Sequence, residues 1–177
     1  MTQAGENVEE CTGAILFTDL VGFTAYTSSL GDLEALRVLD RQREIVDGAL
    51  GDAGDARVVK ELGDGLMIWI GSAAEGLRCA MELMLAIENE RTAGEFPLAV
   101  RMGMHYGSAL VRGDDLVGQS INIASRVADL AGPGELLVSG DLIGEFSGQL
   151  IDFEMHSVGP VRVKGVIDPI WINRLSA

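Results

Sequence analysis

Ile15-Leu16-Phe17-Thr18-Asp19-Leu20-Val21-Gly22-Phe23-Thr24 opens as an apolar run, ends that run on a carboxylate and turns through a glycine three residues later. A nearly all-apolar run from Gly13 to Phe17 reads as a central strand, covered on both faces. A strand that ends on Asp and turns through Gly holds one carboxylate at the lip of a sheet. The helix start that follows offers free backbone N–H groups beside it. This suits a metal-bound polyphosphate. By itself Asp19 reads as readily as a turn or helix-cap residue.

The rest of the chain supplies the frame. At 177 residues it is long enough for one domain with a real core. An apolar fraction of 47% and a charged fraction of 23% are those of a soluble globular protein. The net charge of −14 argues against a nucleic-acid polymer or an anionic membrane as partner. A small phosphate ligand stays open, because local cations and a metal can reverse the field inside a cleft. Cys11 and Cys79 have no metal-ligand spacing, which favours a reduced, cytoplasmic chain. No apolar run reaches the roughly 18 residues a bilayer span needs. Residues 1–12 read as a flexible tail without signal-peptide character, and 13–177 as the domain.

Asp32 is the expected N-cap of a helix carrying Leu33, Leu36, Leu39, Ile45, Val46 and Ala49. Arg57–Lys60 and Leu66–Ile70 flank Gly63-Asp64-Gly65 and predict a β-hairpin. Ala73, Leu77, Ala80, Met81, Met84 and Ile87 mark a second helix. Pro97–Tyr106 is expected as a strand, with a further short one between Gly107 and Gly113. Gln119–Ala131 reads as a helix stopped by Gly132-Pro133-Gly134, and Glu135–Val138 as a strand. Ile151–Val158 and Val161–Lys164 read as a hairpin around Gly159-Pro160, and Pro169–Asn173 as the last strand. Strands and helices mix without strict alternation, so the expected class is α+β with a largely antiparallel sheet.

Asp64 sits between two glycines, where a backbone can approach a ligand closely. If its strand neighbours that of Asp19, the two carboxylates meet and repel by about 4 kcal/mol at 4 Å in an effective dielectric near 20. A divalent cation removes that penalty, and a metal pair can run an in-line phosphoryl displacement. A plain turn aspartate fits the spacing equally well. Lys60 and Asp115 are complementary, as donor and acceptor, to the Watson–Crick edge of adenine; guanine would want an acid in place of Lys60. Both also read as solvated surface residues. Asn122 and Arg126, four apart, share a helix face that suits a sugar oxygen and a phosphoryl group, or simply solvent. Arg101, inside an apolar strand, wants an anionic partner, and a structural ion pair fits as well as a ligand contact. Lys164 precedes a glycine at a strand end, and His105 and His156 are read as structural.

These stretches in order, Phe17–Thr24, Lys60–Gly65, Arg101–Gly107, Asp115–Arg126 and Val163–Gly165, resemble the catalytic domain of class III nucleotidyl cyclases from Gly13 to about Asn173. The resemblance implies a ferredoxin-like palm, a βαββαβ core with added strands and helices. It implies a head-to-tail homodimer with shared sites, and two Mg²⁺ or Mn²⁺ ions per site. Asp19, Asp64 and the backbone carbonyl of Leu20 match metal ligands. Lys60 and Asp115 match the adenine-selecting pair, Asn122 the ribose-orienting residue and Arg126 the transition-state arginine. Arg101 and Lys164 match triphosphate contacts, and Phe23 and Thr24 fall in the matching helix start as substrate contacts. In the family Asp19, Asp64 and Arg101 act from one subunit, and Lys60, Asp115, Asn122, Arg126 and Lys164 from the other. The implied activity is conversion of ATP to cyclic AMP. The alternatives are a guanylate cyclase, disfavoured by Lys60 and Asp115, and a silent nucleotide-binding module.

Overall fold

The structure is a computed structural model and describes residues 9–51, 53–146 and 153–176. The chain runs β1 (Glu10–Leu20), α1 (Phe23–Leu30), α2 (Asp32–Leu50), β2 (Ala56–Leu62), β3 (Gly65–Ile70), α3 (Ala73–Ala93), β4 (Val100–Arg112), β5 (Asp115–Val117), α4 (Gln119–Leu130), β6 (Leu136–Ser139), α5 (Gly140–Glu145), β7 (Glu154–Val161) and β8 (Ile170–Ser176). The strands form one sheet in the order β2-β3-β1-β4-β6-β8-β7, with β5 paired to β4. All pairings are antiparallel except β4 with β6, whose chain connection passes through α4. β1, β2, β3 and β4 with their intervening helices give the βαββαβ core, and the α+β expectation holds.

Side-chain alternation along β1 divides the core between the two faces. Ala14, Leu16 and Leu20 pack with buried residues of α2 and α3. Ile15 and Phe17 pack with Met67, Trp69 and the α4 residues Ile121, Ala124 and Ala128. Asp19 continues the second series. It therefore stands on the α4 face, at the end of the strand, where burial gives way to partial exposure.

Glycines set how closely α4 approaches the sheet. A Cβ on Gly103 would lie 2.0 Å from the Ala128 backbone nitrogen, and one on Gly107 2.3 Å from Ser120 Oγ. Both glycines therefore belong inside β4, and the expected break at Gly107 is replaced by one strand of thirteen residues. The sequence pattern reads Gly107 as punctuation, whereas it is a point of close contact.

Three further expectations change. Gly31, with φ +88°, caps α2 in place of Asp32, which instead opens the helix as a favourable acid in its first turn. Leu33 and Leu36 are exposed, and the buried face runs through Ala35, Val38, Gln42, Ile45, Val46 and Ala49. Gly159-Pro160 lies within β7, where the register shifts between Ser157 and Gly159, and the strand that pairs with β7 is β8. Proline is tolerated there because β7 is an edge strand. Residues 151 and 152 of the expected Ile151–Val158 strand lie outside the described residues. No helix among the described residues is long and apolar enough to cross a membrane.

Candidate active site

The β2–β3 hairpin closes with Leu62 opposite Gly65, so Gly63 and Asp64 form its two-residue turn. Gly63 takes φ +71°, as primed hairpin turns require at their first central position. β3 pairs with β1 from Ala14↔Ile70 to Thr18↔Leu66, which carries the turn to the end of β1. A Cβ on Gly65 would lie 2.8 Å from the Thr18 carbonyl. That close approach brings Asp64 beside Asp19, and the Leu20 N–H donates to Asp64 Oδ2 at 3.2 Å. Burial, and then the Asp19 charge, push the Asp64 carboxyl above its ordinary range.

Arg101 is the cross-strand partner of Asp19 on β4. Its Nε and Nη2 grip Asp19 Oδ2 at 2.8 and 2.7 Å, so the anionic partner expected of this arginine is Asp19 itself. Arg101 Nη1 also reaches the Asp129 carbonyl of α4 at 3.5 Å. Asp19, Arg101, Leu62, Ser125 and Asp129 line a cleft of about 150 Å³. Pockets for whole small-molecule ligands run to roughly 300–1,000 Å³, so this cleft is a partial site.

Two carboxylates, one of them resisting ionisation beside the other, suit a hard divalent cation with oxygen ligands. No group of three His, Cys, Asp or Glu side chains gathers among the described residues. Asp19 and Asp64 would thus hold a cation together with backbone, water or phosphate oxygens. Gly22, at φ +83°, caps α1 without a side-chain hydrogen bond. The first-turn amides of α1, where Phe23 and Thr24 lie, are therefore open to an anion. Phe23 itself packs partly against the α2–α3 core, and Thr24 is exposed.

A second group forms elsewhere on the α4 face. The β4–β5 hairpin curls toward β2, and Arg57 Nη1 donates to the Asp114 carbonyl at 3.1 Å. Lys60 Nζ reaches Asp115 Oδ2 at 2.7 Å. This hydrogen bond, first among its surroundings, holds the Asp115 carboxyl below its ordinary range. Their side chains are 36% and 39% exposed, so the pair contributes at most about 1 kcal/mol to folding and stays accessible to a ligand. Asn122 and Arg126 are exposed on α4, with Arg126 Nη1 on Asp129 Oδ2 at 3.1 Å. Lys164 is exposed in the segment between β7 and β8. No direct hydrogen bond or ion pair joins Asp19, Asp64 or Arg101 to Lys60, Asp115, Asn122, Arg126 or Lys164 among the described residues.

Two participants escape the sequence reading. Gln42, buried on α2, donates through Nε2 to the Asp64 carbonyl at 3.2 Å. A polar residue among apolar helix positions was the available signal. Asp129 touches both Arg101 and Arg126, and its position three residues after Arg126 was the only hint. His105 is buried, with Nδ1 2.8 Å from Ser139 Oγ, and burial lowers its pKa.

The chain belongs to the family of the adenylate and guanylate cyclase catalytic domain, whose model matches residues 5–173. Over 166 residues it is 31% identical to a pH-sensitive adenylate cyclase of Mycobacterium tuberculosis, covering 91% of this chain and 40% of that protein. It superposes on the adenylyl cyclase CyaB of P. aeruginosa with a TM-score of 0.84 at 20% identity, covering 97% of each chain. With the guanylate cyclase domain of RhGC from Catenaria anguillulae, solved with GTP, the TM-score is 0.82 at 22% identity, covering 96% of this chain and 98% of that one. Likeness to both kinds of cyclase establishes the palm fold and leaves the base to be argued from this chain's residues. The chain spans between 29% and 43% of the lengths of the first sequence relatives it matches.

Proposed function

We propose that the chain is an adenylate cyclase converting ATP to 3′,5′-cyclic AMP and pyrophosphate, with sites shared across a head-to-tail homodimer. The observation that carries the choice of base is the Lys60–Asp115 contact at 2.7 Å. It places a donor and an acceptor side by side in the polarity that adenine's Watson–Crick edge requires. A site built on such pairing rejects the mismatched base by up to about 10⁴–10⁵.

Asp19, Asp64 and the Leu20 carbonyl would hold two Mg²⁺ or Mn²⁺ ions, which supply Lewis-acid activation of the ribose 3′ oxygen and charge neutralisation on the phosphates. The chain's own residues do the rest. Arg101, already beside Asp19, shares its fork with the triphosphate, and the α1 N-terminus at Phe23 and Thr24 receives phosphate oxygens. From the other protomer Lys60 and Asp115 hold the adenine, Asn122 orients the ribose and Lys164 meets the triphosphate. Arg126 offsets the charge that develops on the departing pyrophosphate. The cleft beside Asp19 is small, and none of Lys60, Asp115, Asn122, Arg126 and Lys164 lines it, which supports a site that one chain leaves incomplete.

Product assays with ATP and GTP, in Mg²⁺ and in Mn²⁺, test the reaction and the base; cyclic AMP from ATP is expected. Asp19→Ala and Arg126→Ala chains should each be inactive. Mixed one to one, random assortment restores about a quarter of wild-type activity through the one intact site of each mixed dimer. No recovery in a mixture whose chains have exchanged counts heavily against shared sites.

A further inference from the structure

α2 turns an apolar face to the core with one polar exception. Gln42, 2% exposed, lies among Ala35, Val38, Ile45, Val46 and Ala49. Any apolar residue would pack here without the demand of a buried amide, which costs about 1–3 kcal/mol when left unpartnered. Among the described residues Gln42 makes its side-chain hydrogen bond outside its own helix: Nε2 donates to the Asp64 backbone carbonyl at 3.2 Å. From β1 the Leu20 N–H holds the same residue by its carboxylate, also at 3.2 Å. A turn flanked by Gly63 and Gly65 has little stiffness of its own. Two bonds from two different elements, one to the main chain and one to the side chain, fix what the glycines leave loose.

We infer that Gln42 is a positioning residue for Asp64. Through the turn carbonyl it sets where the Asp64 carboxylate stands relative to Asp19, and with it the affinity of the cation the two share. The inference rests on the reading of Asp19 and Asp64 as metal ligands. Partners that orient a ligating group typically change metal affinity by about 10–100-fold when removed.

The test is a titration of the whole chain with Mn²⁺ in the presence of 3′-deoxy-ATP, free Mn²⁺ being read by electron paramagnetic resonance. This nucleotide lacks the attacking hydroxyl, so binding is read without turnover, and the Mn²⁺ held by its triphosphate alone is subtracted from a titration without protein. Gln42→Met keeps the length and loses the donor; Mn²⁺ binding should weaken about tenfold. Its Tm should stay within about 3 °C of wild type. Gln42→His restores a ring N–H of similar reach, and binding should return to within about threefold of wild type. If Gln42→Met does not fold, Gln42→Leu takes its place in the comparison with Gln42→His. Unchanged Mn²⁺ binding in the apolar variant overturns the inference, as does equal weakening in the apolar and histidine variants. Asp64→Ala separates the two levels. If it leaves Mn²⁺ binding intact, the metal-ligand reading fails. If it abolishes binding while Gln42→Met does not weaken it, only the role of Gln42 fails.

Discussion

Asp64 is held in a position that costs stability. Burial and the neighbouring Asp19 raise its pKa above the ordinary value of 3.8. A carboxyl that binds its proton more tightly in the folded chain than in the unfolded one disfavours folding once it ionises. That cost is absent below the unfolded pKa, grows as pH rises through the folded pKa, and is constant above it. Asp64→Asn keeps an acceptor for the Leu20 N–H and removes the charge. In metal-free buffer at pH 7 the variant should therefore melt at a higher temperature than the parent. The difference should vanish below about pH 3, where both states of the parent are protonated. The same change should abolish cyclisation. Calorimetry across pH, beside a product assay, checks both, and an unchanged Tm at pH 7 would show that the pair is not under strain. Stability surrendered at a site of charge is the usual mark of function over folding.

Among the elements, α4 carries the most. It closes the second face of the sheet and presents Asn122 and Arg126 on its outer side. Its seat is Gly103, where a methyl group would stand 2.0 Å from the Ala128 nitrogen and 2.4 Å from its Cα. Both obstacles are backbone, so no rotamer change relieves them, and the helix has to lift. Gly103→Ala should lose about 3 kcal/mol or more of folding free energy, the upper range for overpacking. Urea denaturation measures it, and a loss under about 1 kcal/mol would mean that α4 shifts freely on the sheet. The β2–β3 hairpin works by a similar economy of contact. Gly65 lets β3 approach the Thr18 carbonyl, so the turn aspartate arrives beside the strand-end aspartate.

For the whole molecule the question is how many chains make one site. One chain forms a cleft of only about 150 Å³ beside Asp19, and neither Lys60 nor Asp115 lines it. The proposed homodimer makes activity depend on association. Specific activity should fall on dilution, and at concentrations well below the dimer dissociation constant it should fall in proportion to protein concentration. Activity assays set beside sedimentation velocity check this. Specific activity that stays constant while the chain is monomeric would exclude a shared site. The net charge of −14 opposes self-association at long range, so added salt should strengthen the dimer at low ionic strength.

Much of this was legible in the residue order, for a physical reason. Strongly periodic segments such as β1, the β2–β3 hairpin, α3 and α4 carry their own pattern, because one face of each is buried and the pattern records it. The candidate site residues came from the resemblance of whole stretches, because spacing alone leaves Lys60, inside β2, and Asn122 and Arg126, along α4, as ordinary solvated residues. Pattern does not record which neighbour covers a face. Leu33 and Leu36 share a helical stripe with Ile45, yet α2 is covered along Ala35, Val38 and Gln42, and the two leucines face outward. Gly107 looks like a break because a missing side chain reads the same whether it ends a strand or admits Ser120. Lys60 and Asp115 are 55 residues apart, and only the curl of the β4–β5 hairpin onto β2 makes them partners. Asp19 was visible as a carboxylate at a strand end. That it meets Asp64, is gripped by Arg101, and has the turn of its partner held by Gln42 are facts of long-range contact, decided by the packing of the folded chain.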